Sequence, residues 1–493
     1  MMSARWGPRA IGAPLAGRWT ALAFMALAQL MIALDATIVS IALPSAQRGL
    51  GASDADRQWV LTAYTLAFGC LLLLGGRVSD AIGRKPAFLI GLVGFATASA
   101  LGGAAPVFGV LAAARAAQGA FAALLAPTVL SIVAVTFTEP RERARAFAIY
   151  GTIAGTGAAV GLVVGGVVTE YLSWRWCLYV NIPVALLAAA GGWLALRTPP
   201  SHRGTWLRFD VPGLVLASAG LASLVIACSQ AVGRGWGSVT VLTLFGLCVV
   251  FLVAFVLWEQ RCDIPLVPLP IVLDRTRGGA YLAAGLAVAS MTGVYLILTY
   301  YLQEVRGYTP LQAGLAFLPL PAASQLASWS VVSPLIPRVA PRALMAPGAL
   351  VAALGMVILT LVPGGGGFAT HVLPAEILLG AGISALMVPA FSIATLGLDP
   401  RQAGVGSALA NAATQIGGSL GAAVLNTIAA GATAGYLALH GAAAITSALV
   451  HGYAVAAGAG AAILTMAALV AAFLITGGRP GTAPAGRSGG TSR

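Results

Sequence analysis

The sequence predicts an all-α polytopic membrane protein, and three observations point to this fold class. Hydrophobic residues make up 59% of the 493 residues and charged residues only 8%, whereas a soluble domain carries about 25% charged residues. The mean hydropathy is +0.92, and the apolar residues form long runs. The basic residues lie mostly in short segments between those runs. A water-soluble globular protein is therefore excluded.

Fourteen apolar runs approach the length of a transmembrane helix, which takes about 20 residues. Charged, glycine-rich or proline-rich segments separate them. The predicted spans are 19–40, 59–75, 87–105, 107–130, 146–169, 177–196, 211–231, 238–258, 280–303, 311–332, 344–362, 374–398, 403–428 and 453–476. The Gly/Pro/Ser-rich tail 477–493 is predicted to be disordered.

One apolar region is predicted to be a loop. The stretch from Gln402 to Gly478 carries no charged residue, so a further helix near 431–450 is an alternative. Its glycines, together with His440, Ser447 and His451, favour an external loop instead. An odd number of spans would also place the three C-terminal arginines outside the cell, which the positive-inside rule disfavours.

The distribution of Lys and Arg predicts the orientation. With a cytoplasmic N-terminus, 21 of the 27 basic residues fall inside, five fall outside and Arg115 lies within a span. This asymmetry follows the positive-inside rule. The first apolar run is longer than the h-region of a secretory signal and contains Asp35, so it is predicted to be retained. We expect a multi-pass protein of the cell membrane with both termini cytoplasmic.

The spans divide into two bundles with an insert. Six of them lie in 19–196 and six in 280–476, and a two-helix insert occupies 211–258. A short basic turn, Pro337–Arg342, stands where a parallel repeat would place a counterpart of the first-half loop. The remaining segments are a cytoplasmic N-terminal segment, 1–18, and the cytoplasmic tail.

Three ionisable residues fall inside predicted spans: Asp35, Arg115 and Glu376. Such a charge costs at least about 2.5 kcal/mol on insertion scales, which makes each one a candidate functional residue. If helices 1 and 4 are neighbours, the guanidinium favours the charged form of Asp35 while burial favours the neutral form. A carboxyl balanced in this way can load and release a proton. A purely structural ion pair is the alternative.

Glu376 has a different alternative. It lies only two or three residues inside the outer edge of its span. Glu376 could therefore be an interfacial carboxylate in contact with water and not a residue of a substrate cavity.

The sequence contains no recognisable motif of an enzyme active site. The four histidines are scattered, and there is no GxSxG, HExxH or Walker motif. The five cysteines have neither metal-ligand nor redox spacing. We therefore predict a protein that is not an enzyme, with no catalytic residues, no cofactor, no metal site and no nucleic-acid partner.

The loop after the second span has a specific pattern. It carries Gly76, Asp80, Gly83, Arg84 and Lys85 in the spacing G-x-x-x-D-x-x-G-R-K. Glycine suits a position with positive φ, and the acid can accept hydrogen bonds from N–H groups at a helix start. The basic pair can hold that acid and the lipid surface.

With this loop the sequence resembles the major facilitator superfamily, and more narrowly its fourteen-helix drug:proton antiporter branch. Further segments are similar to motifs of that branch, and together the resemblance covers residues 19–476. They are Leu34–Val39, Ala42–Pro44, Arg115–Gly119, Ser173–Trp176 and Asn181–Pro183.

The resemblance implies roles for several of these residues. Asp35 corresponds to the acid associated with proton or substrate coupling, and Arg115 to an arginine implicated in proton transfer. The loop residues Gly76 to Lys85 would form a cytoplasmic latch between two rocking bundles. The fold implied is the major facilitator fold with two extra helices.

The fifth span is rich in glycine. Gly157, Gly161 and Gly165 follow one another at i, i+4 spacing, with Gly166 beside them, and such a strip lets another helix pack closely. It resembles the antiporter motif that serves as a hinge. Where that motif has Gly-Pro, this chain has Gly161-Leu162.

The function implied is secondary active export of amphipathic or cationic drugs or antibiotics in exchange for protons, by alternating access. The expected partners are the small-molecule substrate, protons and the bilayer, and the expected state is a monomer. Candidate residues of the substrate cavity are Tyr64, Gln118, Asn181, Tyr295, Glu376, Asn411 and Gln415.

Three alternatives remain at this stage. A proton-independent or importing facilitator of a small metabolite is supported by the missing proline at Leu162. A non-transporting membrane sensor would need a signalling domain, for which the sequence has no room. A membrane-embedded enzyme lacks a catalytic constellation.

Overall fold

The computed structural model describes residues 15–53, 56–57, 59–137, 139–196, 210–262, 265, 267, 269–362, 368–395 and 400–475. Within these residues every regular element is a helix, and no strand is present. The predicted tail 477–493 and residues 1–14 of the predicted N-terminal segment lie outside the described residues.

Seven helices build the N-terminal half, and the short sixth and the seventh together make one membrane span. They are α1 (Leu15–Leu50), α2 (Trp59–Ile82), α3 (Arg84–Gly103), α4 (Phe108–Thr136), α5 (Pro140–Tyr171), α6 (Trp176–Tyr179) and α7 (Asn181–Ala195).

The predicted insert is a pair of capped helices, α8 (Val211–Arg234) and α9 (Val239–Glu259). The Asp210 carboxylate accepts the Gly213 N–H at 2.8 Å at the start of α8. Ser238 caps α9 in the same way, so each helix has an orphan N–H group satisfied. Most of α9 is exposed on the outside of the protein, as expected for a helix that faces lipid.

The C-terminal half contains more interruptions because several prolines remove a backbone donor and disturb the helical turn before them. Its helices are α10 (Leu269–Val272), α11 (Arg275–Tyr300), α12 (Pro310–Ala316), α13 (Pro319–Ala327), α14 (Ser333–Leu335), α15 (Pro341–Thr360), α16 (Leu373–Thr395), α17 (Pro400–His440) and α18 (Ile445–Leu474). Three π-helical segments, Tyr301–Val305, Ser328–Val332 and Phe368–Val372, continue or connect them.

Among the described residues, twelve helices are long and apolar enough to cross a membrane. Two shorter apolar helical stretches, Trp59–Leu72 and Ala159–Tyr171, belong to α2 and α5. The chain is therefore an all-α multi-pass membrane protein, as the composition predicts.

The predicted external loop over 431–450 is wrong. α17 runs on to His440 and α18 begins at Ile445, so the connection is only the short segment 441–444. The region is rich in alanine and has no proline between Pro400 and Pro480, and alanine has the highest helix propensity. Gly441, with φ of 78°, ends α17 in a conformation that glycine adopts readily.

The two halves meet on one side of the molecule. We call this side the outer face, following the predicted orientation, and the opposite side the inner face. Gly166 of α5 lies against the backbone of Leu311 in α12, and Gly314 of α12 lies against the carbonyl of Leu162. A Cβ at either glycine would stand less than 3 Å from the opposing backbone, so glycine is what allows this close approach.

A buried arginine joins the halves at the same face. Arg57, between α1 and α2, is 5% exposed. Its Nε donates to Asn426 of α17 at 2.9 Å, and its guanidinium lies 4.0 Å from the ring centre of Tyr300 in α11. The Tyr300 hydroxyl in turn donates to Gln47 of α1. These contacts, which we call the outer bridge, hold the two halves together at the outer face.

Loss of the outer bridge should open the outer face. We expect Arg57→Ala to increase the labelling rate of a cysteine placed at Ala46, which is 4% exposed, by about tenfold or more. The reason is that a hydrogen bond from a charged donor contributes about 1.5–3 kcal/mol. The measurement is reaction with a polar maleimide in nanodiscs, in a background from which the five native cysteines have been removed.

The matched control is Arg48→Ala. Arg48 pairs with Glu304 at 3.5 Å, but 66% of its side chain is exposed, and exposed ion pairs contribute about 0–1 kcal/mol. Equal labelling rates for the two variants would contradict the outer bridge.

Candidate functional site

Asp35, midway along α1, is completely buried. Its Oδ2 accepts from the Arg115 guanidinium at 2.5 Å. Its Oδ1 accepts from the side-chain amides of Gln118 at 3.1 Å and Asn181 at 2.7 Å. The carboxylate thus accepts hydrogen bonds from one cationic and two neutral donors, which compensate for its lost hydration.

Arg115 is equally enclosed, with 1% of its surface exposed. Besides Asp35, its guanidinium donates to Gln118 Oε1 at 2.9 Å and to the carbonyl of Val60 at 3.0 Å. The guanidinium also lies 4.4 Å from the ring centre of Tyr64, which adds a cation–π interaction. Every contact of this cation is therefore to a group that compensates for its lost hydration.

The residues of this cluster, which we call the Asp35 cluster, come from five helices of the N-terminal half. Gln118 completes it by donating to Ser99 of α3 at 2.7 Å. The members are Asp35, Tyr64, Ser99, Arg115, Gln118 and Asn181. The sequence prediction that Asp35 and Arg115 are near neighbours agrees with this geometry.

Three residues predicted to line the substrate cavity, Tyr64, Gln118 and Asn181, belong to the Asp35 cluster. Two of their buried polar atoms, the Asn181 side-chain oxygen and the Tyr64 hydroxyl, have no hydrogen-bond partner within the described part of the chain. Ser99 was not predicted, although its hydroxyl in an apolar span is a sequence signal for a polar contact.

The contact between α1 and α4 in this cluster is an ion pair, so it depends on the charge of Asp35. While Asp35 is charged, its pairing with Arg115 holds α1 to α4. A proton on the carboxylate would remove that attraction and leave Arg115 with the Val60 carbonyl, Gln118 and the Tyr64 ring. The charge state of one residue therefore changes how several helices are held together.

A sequence profile of the Major Facilitator Superfamily matches residues 25–422. The chain belongs to the Major Facilitator Superfamily. It is 50% identical over 462 residues to the puromycin resistance protein pur8 of Streptomyces alboniger, covering 93% of this chain and 91% of that protein. It is 37% identical over 417 residues to the cephamycin export protein CmcT of Amycolatopsis lactamdurans, covering 84% of this chain and 86% of that protein.

The fold is similar to that of a solved transporter structure. A bacterial homologue of the human lysosomal transporter Spinster, in an inward-facing and occupied conformation, aligns with a TM-score of 0.70 and 16% identity. The alignment covers 93% of this chain and 97% of the other. The relatives of this chain are thus membrane transporters, several of them named for antibiotic resistance or export.

The glycines of the fifth span pack against α1 and α12. A Cβ at Gly157 would meet Ala33, one at Gly161 would meet Thr37, and one at Gly165 would meet Ile38. Gly166 faces α12 at the contact between the halves. α5 therefore lies between the helix that carries Asp35 and the C-terminal half, which is where a hinge would have to act.

The predicted loop over 76–86 is too long, because α2 continues to Ile82 and includes Gly76 and Asp80, and the turn is confined to Gly83. Gly83 has φ of 95° and precedes the first residue of α3, Arg84. Lys85 donates to the Trp193 carbonyl at 2.7 Å, and Gly76 lies near Pro127 of α4. The side chain of Asp80 lies outside the described part of the chain, so its proposed contact stays a prediction.

The predicted cavity residues of the C-terminal half lie apart from the Asp35 cluster. Asn411 donates to the Ser407 carbonyl of its own helix, at 3.0 Å. Gln415 packs where α17 meets Gly69 of α2. Tyr295 contacts the Phe317 ring at 5.4 Å.

The alternative of an interfacial, water-exposed Glu376 is wrong, because its exposed fraction is zero. α13 and α11 cover this part of α16.

No group of three or more His, Cys, Asp or Glu side chains capable of holding a metal ion occurs in the ranges that the structure describes. The Cys177 and Thr169 side chains hydrogen-bond to each other at 3.2 Å.

Replacing Arg115 alone should lower the free energy of unfolding more than replacing Asp35 and Arg115 together. We expect Arg115→Met to destabilise the protein by about 3–5 kcal/mol, because it leaves a buried carboxylate without its cation. The double variant Asp35→Asn/Arg115→Met should recover much of this loss. Tryptophan fluorescence during thermal unfolding in detergent measures both, and purely additive losses would contradict the pairing.

Proposed function

We propose that this chain exports amphipathic or cationic antibiotics in exchange for protons. The observation that carries the proposal is the Asp35 cluster, in which a fully buried carboxylate is held by Arg115 and two amides. The names of the relatives, which include puromycin resistance and cephamycin export, support the substrate class.

The coupling follows from a difference in charge between two states. A ligand shifts a conformational equilibrium only by its differential affinity for the two states. In the structure the outer bridge closes the outer face and Asp35 is paired with Arg115. When the outer face is open, a proton from outside neutralises Asp35 and favours release of the substrate; return to the inner side lets the proton leave and the ion pair re-form.

The topology of this proposal is fourteen spans with both termini in the cytoplasm, acting as a monomer. The twelve long apolar helices together with the shorter stretches of α2 and α5 support this number. The turn at Gly83 would then lie at the cytoplasmic surface, where Gly76, Asp80, Arg84 and Lys85 form the latch.

Puromycin is the first substrate to test, because the relative with 50% identity is named for resistance to it. The cavity between the halves would supply apolar walls with few polar groups, as small-molecule sites generally do. Tyr295, Asn411 and Gln415 would line it from the C-terminal half.

A proton-independent facilitator is the second candidate. Leu162 stands where the antiporter motif has proline, and its carbonyl forms the close contact with Gly314 of α12. Puromycin flux in proteoliposomes that is unchanged by an uncoupler would favour this candidate over the antiporter.

Asp35→Asn should abolish proton-driven export. We expect proteoliposomes with an imposed proton gradient to transport puromycin at least about tenfold more slowly with this variant, since a neutral amide can no longer change its charge. Gradient-driven flux at the parental rate would refute the coupling role of Asp35. Asp56→Asn is the control, because Asp56 is exposed and bonds only locally to Ser53.

Gly83→Val should impair transport through the turn after α2. A β-branched residue at φ of 95° carries a backbone strain of about 1–2 kcal/mol, which should displace the start of α3. Gly109→Val is the control, because a Cβ added at Gly109 would meet no atom within 4 Å. The measurement is puromycin flux at equal membrane insertion. Unchanged flux for Gly83→Val would contradict the proposal that this turn acts as a latch.

A further inference from the structure

The two contacts between the halves at the outer face differ in construction. On one side α5 and α12 meet directly, because Gly166 and Gly314 let their backbones approach closely. On the other side α2 meets α17, and α8 of the insert packs against both of these helices. We call the line along which α2, α8 and α17 adjoin the α8 seam. A helix of the insert therefore contacts the N-terminal half and the C-terminal half at once.

An apolar cluster fills the outer part of the α8 seam. Val225 and Cys228 of α8 pack with Ala423 of α17, and the exposed fractions of the three residues are 1%, 5% and zero. Partly buried side chains of α2, α8, α9 and α17 surround them, namely Trp59, Leu66, Leu224, Phe245, Leu420 and Val424. Helices in a membrane associate through close packing of this kind and through interhelical hydrogen bonds. The cluster therefore holds α8 in the seam.

A hydrogen bond joins α8 to α17 at the same level. The Thr427 hydroxyl of α17 donates to the Cys228 carbonyl of α8 at 3.1 Å, and the Ala423 carbonyl of its own helix shares this donor. Thr427 is 4% exposed. It follows Asn426, which accepts from Arg57 in the outer bridge. The contact of α8 with α17 therefore lies beside the outer bridge, where the halves have to separate when the outer face opens.

The contacts of α8 with α2 are weaker than those with α17. The buried members of the apolar cluster belong to α8 and α17, whereas α2 contributes Trp59 and Leu66, which are only partly buried. A polar contact with α2 joins the Ser218 hydroxyl to the Cys70 thiol, and a thiol is a weak hydrogen-bonding group. The contact between α8 and α2 is therefore the one that breaks more readily.

We infer that the insert is a clamp on the outer face: α8 remains attached to α17 and has to separate from α2 whenever the outer face opens. In the closed conformation the clamp adds the α8–α2 contact to the outer bridge and to the α5–α12 contact. The insert thereby favours the conformation in which the outer face is closed. This role involves neither the substrate nor protons, so it goes beyond the proposed function.

Reversible tethers test which contact opens. One tether is a disulfide between Cys70 and Ser218→Cys, which fixes α8 to α2. The matched tether joins Cys228 and Ala423→Cys, which fixes α8 to α17. Each is made in a protein that carries Ala46→Cys and in which the other native cysteines are replaced. The reaction of position 46 with a polar maleimide in nanodiscs measures opening, and mass spectrometry identifies the tethered and labelled peptides.

The α2–α8 tether should slow labelling at position 46 at least about tenfold, because the rigid halves can no longer separate at this seam. The α8–α17 tether should leave the rate unchanged, because that contact persists when the outer face opens. Reduction of the disulfide and removal of the reductant should restore the rate of the untethered protein.

A substitution provides a second test that needs no tether. Leu66→Ala should speed labelling at position 46 about threefold or more, because it removes packing between α2 and α8. Leu71→Ala is the matched control. Leu71 is also a partly buried leucine of α2, but it packs against a different apolar cluster, formed mainly by the N-terminal half.

Four outcomes would overturn the inference. Labelling that is unaffected by the α2–α8 tether, or equal rates for Leu66→Ala and Leu71→Ala, would show that α8 does not hold the outer face closed. Labelling slowed equally by both tethers, or by the α8–α17 tether alone, would show that α8 does not stay on α17. The measurement uses neither substrate nor gradient, so a failure of proton-driven export leaves its result unaffected.

Discussion

The structure depends on keeping one ion pair away from both water and lipid. Asp35 and Arg115 are buried to 0% and 1% exposure, where unpaired charges are costly. Amide, carbonyl and aromatic groups of α2, α4 and α7 also contact the pair and compensate for its lost hydration. Gly119 allows this arrangement, because a side chain there would strike the Tyr64 carbonyl. The close packing of α4 on α2 therefore also brings Arg115 to the α2 groups that contact its guanidinium.

The two halves differ in electrostatics. The N-terminal half satisfies its acid internally, whereas Glu376 in the C-terminal half has no bonded partner within the described residues. The contacts at the outer face, through the outer bridge and the α5–α12 glycines, join the two halves. Because interfaces of this kind switch between discrete packings, a change of charge at a buried acid can be converted into a movement of one half against the other.

The sequence was sufficient to predict a multi-pass helical membrane protein, because the transfer free energy of an apolar run is a local property. It was insufficient at 431–450, where glycines and histidines suggested a loop but the alanine-rich chain continues as α17. The Asp35–Arg115 pair was predictable from two charges at similar depth. Gln118 and Asn181 were predicted for a cavity instead, because nothing in the spacing of the residues says which face of a helix meets the acid.

The sequence by itself determined the fold class and pointed to three charges inside apolar runs, Asp35, Arg115 and Glu376, since both follow from composition and local spacing. Only the tertiary structure decided which buried charges have ion-pair or hydrogen-bond partners. Arg57, which counts as an ordinary loop arginine in the sequence, is buried between the halves, and Glu376 is enclosed and unbonded. Burial and partners depend on helices hundreds of residues apart in the chain, so no local pattern encodes them.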